Sequence, residues 1–190
     1  MSRFRQEADD RIIDRAAGLF ARHGFEHTSL RELAEAVGLS KAGLLHHFPS
    51  KEALHEAVQA SCRDLERRVA DAVAPLPPGP DKDRRSLELL IDVALDRPGL
   101  VALALTAVNG TDPLPEGGLG EVIVHEAFGV AREQADSPHE LERAVRVVGA
   151  LTALAVLTLL ANGADQKTAW RPHILSTCFD ALGHRAPLEA

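Results

Sequence analysis

The amino-acid sequence predicts an all-α protein of about nine helices. Apolar residues recur every three or four positions in successive segments, as they do on one face of a helix. No segment of the 190 residues shows a convincing strand pattern. Serine caps and Gly or Pro breaks mark many of the segment ends. The hydrophobic content of 45% and charged content of 26% are ordinary for a globular protein.

Two short helices around a tight turn are predicted between Thr28 and Lys51, after a first helix over about 4–23. Gly38 gives the backbone freedom that ends the first of the two. The spacing is typical of a helix-turn-helix, whose second helix is expected in the major groove of DNA. The apolar positions that predict the first short helix are Leu30, Leu33, Ala34 and Val37.

Hydroxyl side chains mark the starts of both short helices. Thr28 or Ser29 can cap the first, and with Ser29 as the cap, Glu32 completes a capping box. Ser40 caps the second, which is predicted to end near Phe48.

This segment resembles the DNA-binding domain of the tetracycline-repressor (TetR) family. The resemblance is carried by a Gly-hydrophobic pair, an L-A-x-x-x-G-hydrophobic-S run, an H-F ending and an S-K-E-x-L helix start. Here these are Gly24-Phe25, Leu33 to Ser40, His47-Phe48 and Ser50 to Leu54. The family's usual Tyr is Leu45 here, and the chain contains no Tyr. The close resemblance covers roughly the first 55 residues.

The resemblance implies a DNA-binding domain over residues 1–48 and a helical ligand-sensing and dimerisation domain over 49–190, with helix four (50–74) as the connector. It further implies a ligand-responsive transcriptional repressor that a small-molecule effector releases from its operator. A helix-turn-helix that binds another protein and has no DNA target is the alternative.

The candidate DNA contacts are the motif residues that face away from its apolar stripe, with Leu45 at the position of the family's Tyr. Lys41, in the first turn of the recognition helix, can donate to guanine. Lys51, near the next helix start, can pair with a phosphate. The full set is Ser29, Arg31, Ser40, Lys41, Ala42, Gly43, Leu45, His46, His47 and Lys51.

The remaining helices are predicted from breaks and caps. Prolines between Pro75 and Pro80 end helix four, and helices five, six and seven are predicted over about 82–96, 98–109 and 119–134. Ser137 and Glu140 form a second capping box, which opens helix eight. Helix eight is predicted to end near residue 161, and helix nine to run from about 168 or 171 to 182.

Eighteen residues without charge, 147–164, form most of helix eight. This length is near the minimum for a membrane span, but the charged residues that open the helix argue against one. A helix that is apolar all round is more often buried on several sides. Gly149, Ala150, Ala153 and Ala155 would let another backbone approach. Together with a stripe on helix nine (Trp170, Ile174, Cys178 and Leu182), this run predicts a homodimer through helices eight and nine, as the resemblance also implies.

The net charge of −7 is unevenly distributed. Residues 1–51 carry eight Lys and Arg against seven Asp and Glu, and the remainder carries 13 against 21. The nearly neutral N-terminal part is therefore expected to bind DNA through a few specific side-chain contacts rather than through a broad basic surface.

The sequence does not favour an enzyme. His-Glu pairs lack the second His of a zinc-protease motif, and there is no Gly-rich phosphate loop or Cys-x-x-Cys pair. No cofactor or metal is therefore expected. His125 and Phe128 are the candidate ligand-binding residues, because the family's effector cavity is often lined near helix seven. The charged N-terminus lacks an apolar signal segment, so a cytoplasmic location is expected.

Overall fold

The computed structural model describes residues 3–109, 120–130 and 137–184, and the regular structure in these ranges is helical. The helices are α1 (Arg3–His23), α2 (Leu30–Ala36), α3 (Lys41–His47), α4 (Lys51–Val73), α5 (Pro80–Asp96), α6 (Pro98–Asn109), α7 (Ile123–Ala127, a short π-helix numbered with the others), α8 (Pro138–Gly163) and α9 (Lys167–Ala181). The predicted all-α fold of about nine helices is confirmed.

The described residues form two compact units. The first contains residues up to 64 together with 97–109, and the second contains residues 65–96 and the described residues from 120 onwards. Helix α4 runs as one continuous helix from the first unit into the second. Helix α6 belongs to the first unit, although the 32 residues 65–96 separate the two stretches of that unit.

The core of the first unit is built on the predicted inner face of α1. Its apolar residues Ile12, Ile13, Ala16, Ala17 and Phe20 are all buried. Leu33, Ala34, Leu44, Leu54 and Val58 contribute buried side chains from α2, α3 and α4. The short helices α2 and α3 therefore depend on this shared core, since isolated helices of seven residues are not stable in water.

Helix α6 joins the first unit because α1 caps it. The Asp14 carboxylate accepts hydrogen bonds from Gly99 N at 2.8 Å and Leu100 N at 3.1 Å, two of the amides that a helix start leaves unsatisfied. Arg97 pairs with Asp10 at 3.0 Å. Burial raises the pKa of Asp14, while the two backbone hydrogen bonds act in the opposite direction.

Gly99 allows α1 and α6 to approach closely. A Cβ atom at Gly99 would lie 1.7 Å from the backbone oxygen of Asp14, so one of the helices has to shift. We expect Gly99→Ala to lower the free energy of unfolding by about 1–3 kcal/mol, the usual cost of overpacking. Chemical denaturation followed by circular dichroism measures this.

Gly18→Ala is the matched control at the same crossing. A Cβ atom at Gly18 would lie 3.5 Å from Gly99 Cα, an ordinary contact. Since alanine is the better helix former, this variant should be as stable as the wild type or more stable. Equal losses from both substitutions would contradict the steric explanation.

The second unit packs α5, α8 and α9 around one apolar core. The largest buried contributions come from Leu87 and Ile91 of α5, Val147 and Leu154 of α8, and Ile174 of α9. Three residues of the stripe predicted for the dimer interface, Ile174, Cys178 and Leu182, are instead buried in this core, and the fourth, Trp170, is partly buried. Burial raises the pKa of the Cys178 thiol to about 11, so this cysteine stays protonated and acts as a small apolar group.

The prediction of helix seven over 119–134 was wrong at its C-terminal end. Helical structure stops at Ala127, and Gly129 takes a positive φ of 66°, the left-handed conformation that commonly follows a helix end. Residues 119 and 131–134 of the predicted helix lie outside the described residues. The other boundaries differ by a few residues; α5, for example, begins at Pro80, where proline suits the first turn of a helix.

Candidate nucleic-acid interface

The start of α2 has the predicted capping box. Ser29 Oγ accepts from Glu32 N at 3.2 Å, and a Glu32 carboxylate oxygen accepts from Ser29 N at 2.8 Å. These hydrogen bonds lower the pKa of Glu32. Thr28, the other cap candidate, is buried, and its hydroxyl donates to Gly24 O at 2.7 Å. Ser29 is therefore the cap, and Thr28 holds the loop between α1 and α2.

Helix α3 is fixed at its start and by one buried residue. Ser40 Oγ accepts from Gly43 N at 3.0 Å, and Leu44 is fully buried. Lys41 and Ala42 are exposed in the first turn. The first turn of α3 therefore presents side chains to solvent while its other face is held in the core, as a recognition helix requires.

The predicted contact residues divide by exposure. Ser29, Arg31, Ser40, Lys41, Ala42 and His46 are exposed, whereas Gly43, Leu45, His47 and Lys51 are partly buried. Arg31 pairs with Glu35 at 2.8 Å on the surface of α2. Such an exposed pair contributes little to stability, so Arg31 can exchange Glu35 for a phosphate at small cost.

Lys51 is anchored to the loop between α1 and α2. Its Nζ donates to Phe25 O at 2.9 Å and lies 4.2 Å from the centroid of the Phe25 ring. An ammonium group has three donors, so this hydrogen bond leaves two for another acceptor. Lys51 thus joins the start of α4 to the loop and still carries its charge at the edge of the helix-turn-helix.

His47 and His46 contact α1. His47 Nδ1 lies 2.6 Å from Asp9 Oδ1, and Arg5 donates to His46 O at 3.4 Å. The sequence predicted both histidines as contacts to the DNA backbone and did not identify Asp9 or Arg5. Asp9 is 38 residues from His47 and Arg5 is 41 residues from His46 along the chain, so the sequence gave no signal of this proximity.

The candidate ligand residues His125 and Phe128 are satisfied within the second unit. Phe128 is buried, and His125 Nδ1 donates to Val130 O at 2.6 Å. Neither residue lines the surface depressions formed by residues 165–169 or by Pro138, Leu141, Glu142, Val145 and Arg146. Their assignment to an effector site stays a prediction.

A buried charged cluster of the second unit was missed by sequence analysis. Asp83 of α5 is 3% exposed and accepts two hydrogen bonds from Arg143 of α8, at 2.7 and 2.8 Å. His184 Nε2 lies 2.7 Å from the same carboxylate. Arg143 also donates to Phe128 O at 2.8 Å. We call these residues (Asp83, Arg143 and His184) the Asp83 cluster.

Helix α8 carries an exposed apolar face. Five large apolar residues on it are 42–64% exposed: Leu141, Val145, Val148, Val156 and Leu160. Gly149 lies between them, and a Cβ added there would meet no atom within 4 Å. Among the described residues, α8 is also the one helix long and apolar enough to cross a membrane by length and composition. The face, which we call the α8 face, is available to a partner.

The N-terminal part of the chain is similar in sequence to known bacterial regulatory proteins. Residues 12–58 match the model of the family described as bacterial regulatory proteins, tetR family. IcaR of Staphylococcus aureus, the negative transcriptional regulator of the biofilm operon icaADBC, is 40% identical over 55 residues, 29% of this chain and 30% of IcaR. The transcriptional regulator RutR of Escherichia coli is 44% identical over 54 residues, 28% of this chain and 26% of RutR. The chain thus matches less than a third of the length of these curated relatives.

The solved structures extend the likeness to the fold of most of the chain. A TetR-family transcriptional regulator from Bordetella parapertussis superposes with a TM-score of 0.59 at 20% identity, covering 95% of this chain and 96% of that one. At this identity the likeness concerns the fold alone, and it confirms the predicted helical architecture.

Proposed function

Since residues 12–58 match the model of the tetR family of bacterial regulatory proteins, we propose that the protein is a transcriptional repressor that binds operator DNA as a homodimer and is released by a small-molecule effector. The observation that carries the proposal is the geometry of α3. Its capped first turn exposes Lys41 and Ala42 while Leu44 is buried in the core. Repression is supported by the likeness to IcaR, a negative regulator.

The DNA contacts follow from the exposure of the motif. Lys41 donates to guanine O6 or N7 in the major groove. Arg31 and Lys51 neutralise phosphates around it, and the His46 ring and the hydroxyl groups of Ser29 and Ser40 add hydrogen bonds to the DNA backbone. Ala42 and Gly43 leave the first turn narrow, which permits close approach to the duplex.

The second unit is assigned to dimerisation and sensing. The α8 face supplies the apolar surface for a two-fold interface. Helix α9 adds exposed residues such as Ser176 and Thr177 beside it, since most of its apolar stripe is buried in the protomer. An effector bound in this unit would act through α4, which is continuous with the first unit. It can weaken DNA binding only by as much as it prefers the conformation that does not bind DNA.

The proposed site of action is the cytoplasm, and the proposed activity needs no cofactor, metal or membrane. The competing function is a helix-turn-helix that recognises another protein. Selection of binding sites from a random-sequence duplex library with the purified protein separates the two. Recovery of one enriched, inverted-repeat sequence supports the repressor, and recovery of random duplexes alone would contradict it.

Lys41→Ala tests the assignment of base recognition. We expect the variant to lose about 1–3 kcal/mol of discrimination per half-site between the selected duplex and random DNA. Stability should be unchanged, because Lys41 is exposed. Competition titrations with both duplexes provide the measurement. Equal losses of affinity on both DNAs would show that Lys41 contacts phosphate only.

A further inference from the structure

The first turns of α1 are joined to the last turn of α3 by two polar contacts. Asp9 Oδ1 lies 2.6 Å from His47 Nδ1, and Arg5 Nη2 donates to His46 O at 3.4 Å. Arg5 and Asp9 are four residues apart in α1 and so lie on the same face of that helix. Both contacts meet the same end of α3.

The orientation of α3 depends on how its two ends are held, because the helix has only seven residues. At the first end Ser40 caps the helix, and in the middle Leu44 is buried. Leu44 is the one fully buried side chain of this helix, so contacts at its last turn add to what fixes its direction. At the second end, the contacts to Asp9 and Arg5 are the polar connections to α1.

The chemistry of the pair argues against His47 as a phosphate ligand. A carboxylate can only accept hydrogen bonds, so His47 Nδ1 donates to Asp9. With Nδ1 engaged by Asp9, only Nε2 remains to meet a phosphate, and it carries a hydrogen only when the ring is doubly protonated. The His47 side chain is also only 19% exposed.

Asp9 itself carries a negative charge in a unit proposed to approach DNA. By charge alone it opposes binding to a polyanion, and its removal would then tighten binding to all duplexes. If Asp9 instead fixes the direction of α3, its removal weakens binding to the selected sequence. The two roles therefore predict effects of opposite sign.

We propose that Asp9 is a positioning residue for the recognition helix. Its contact with His47, assisted by that of Arg5, holds the last turn of α3 and so sets the angle at which the helix presents Lys41 to the bases. In this role the His47 side chain binds Asp9 and is not a phosphate ligand. This inference rests on the proposed DNA-binding function. It assigns a role in sequence discrimination to the start of α1, outside the helix-turn-helix itself.

Asp9→Ala is the principal test, with a duplex selected by the wild-type protein and a random-sequence duplex as the two probes. We expect about tenfold weaker binding of the selected duplex, in line with the loss of one charge-assisted hydrogen bond. Binding of random DNA should be unchanged or slightly tighter. Asp9→Asn keeps an acceptor oxygen for His47 Nδ1 and should restore most of the affinity for the selected duplex.

Two further variants remove trivial explanations. Glu26→Ala deletes the same charge from an exposed position in the loop before α2 and should not weaken binding. In the Asp9→Ala background, His47→Ala should cost no additional affinity, because residues that act as one unit are not additive. Circular dichroism shows whether each variant retains its helical content. If Asp9→Ala does not fold, Arg5→Ala provides the same test through the ratio of the two affinities.

The outcomes separate the inference from the function it rests on. The positioning role would be overturned if the Asp9→Ala variant bound the selected duplex as tightly as the wild type, or more tightly. An additive loss from His47→Ala would return His47 to the phosphate ligands. An unchanged affinity ratio in Arg5→Ala would overturn the inference in the same way. A wild-type protein that binds neither duplex would instead refute the proposed function.

Discussion

Arg143→Ala is expected to lower the free energy of unfolding by about 3 kcal/mol or more, because it leaves a buried carboxylate without its main partner. Asp83 is 3% exposed and receives two hydrogen bonds from the Arg143 guanidinium. The same substitution removes the donor to Phe128 O at the end of α7. The loss should appear in chemical denaturation and as faster amide hydrogen exchange over residues 120–130.

The asymmetry of the Asp83 cluster makes the prediction specific. Asp83→Ala removes the buried charge and leaves Arg143, whose side chain is 25% exposed and can reach water. It should therefore destabilise less than Arg143→Ala, and the double variant should be more stable than Arg143→Ala alone. Two single variants of equal cost, with additive effects in the double variant, would contradict this account.

Arg146→Ala is the matched control for the cluster. Arg146 lies one turn further along α8 and pairs with Glu142 at 2.8 Å, but both side chains are well exposed. A surface pair of this kind contributes about 0–1 kcal/mol. A loss as large as that of Arg143→Ala would show that burial is not the cause of the effect.

Local signals in the sequence were sufficient for the helix-turn-helix. The capping boxes at Ser29 and Ser137 join residues three positions apart, and both are present in the structure. The apolar stripe of α1 was equally visible, because each helical turn repeats it. For these elements the physical cause lies within one or two turns of the chain.

Contacts between distant residues could not be predicted in this way. Asp14 caps α6 across 85 residues, and Asp83 meets His184 across 101 residues. No local pattern distinguishes these carboxylates from the solvated acids that are common on helices. Helix α6 therefore joins the first unit for a reason the sequence does not display, and the same holds for the pairing of Asp9 with His47.

One signal was present but overlooked. Gly129 follows Phe128 as glycine follows many helix ends, and it takes the left-handed conformation that ends this helical segment. The helix predicted over 119–134 runs through this glycine, whereas the helical residues of the structure end before it. A glycine inside a segment with a helical pattern can therefore mark the end of the helix.

The largest functional effect is expected from Val145→Glu on the α8 face. Val145 is 64% exposed in the protomer, so the substitution should leave the helical content unchanged. In a two-fold interface it would bury two unpaired carboxylates, one from each subunit. We expect the dimer dissociation constant to rise about a thousandfold or more, equivalent to about 4 kcal/mol. Sedimentation across a concentration series measures the constant.

DNA binding should fall with the dimer. A duplex carrying both half-sites should bind the variant much more weakly than the wild type, since the linkage between two recognition helices is lost. A duplex with a single half-site should bind both proteins alike. This difference distinguishes a lost interface from a damaged helix-turn-helix.

Ala72→Glu provides the control for the added charge, because Ala72 is an exposed position on α4. It should remain dimeric. The wild type should be a dimer without detergent, since the proposed interface covers the α8 face with that of the symmetry mate. A wild type that stays in solution only with detergent would instead point to a membrane as the partner of α8. A dimeric Val145→Glu variant would place the interface elsewhere, because an unpaired charge on the α8 face is incompatible with a close apolar contact there.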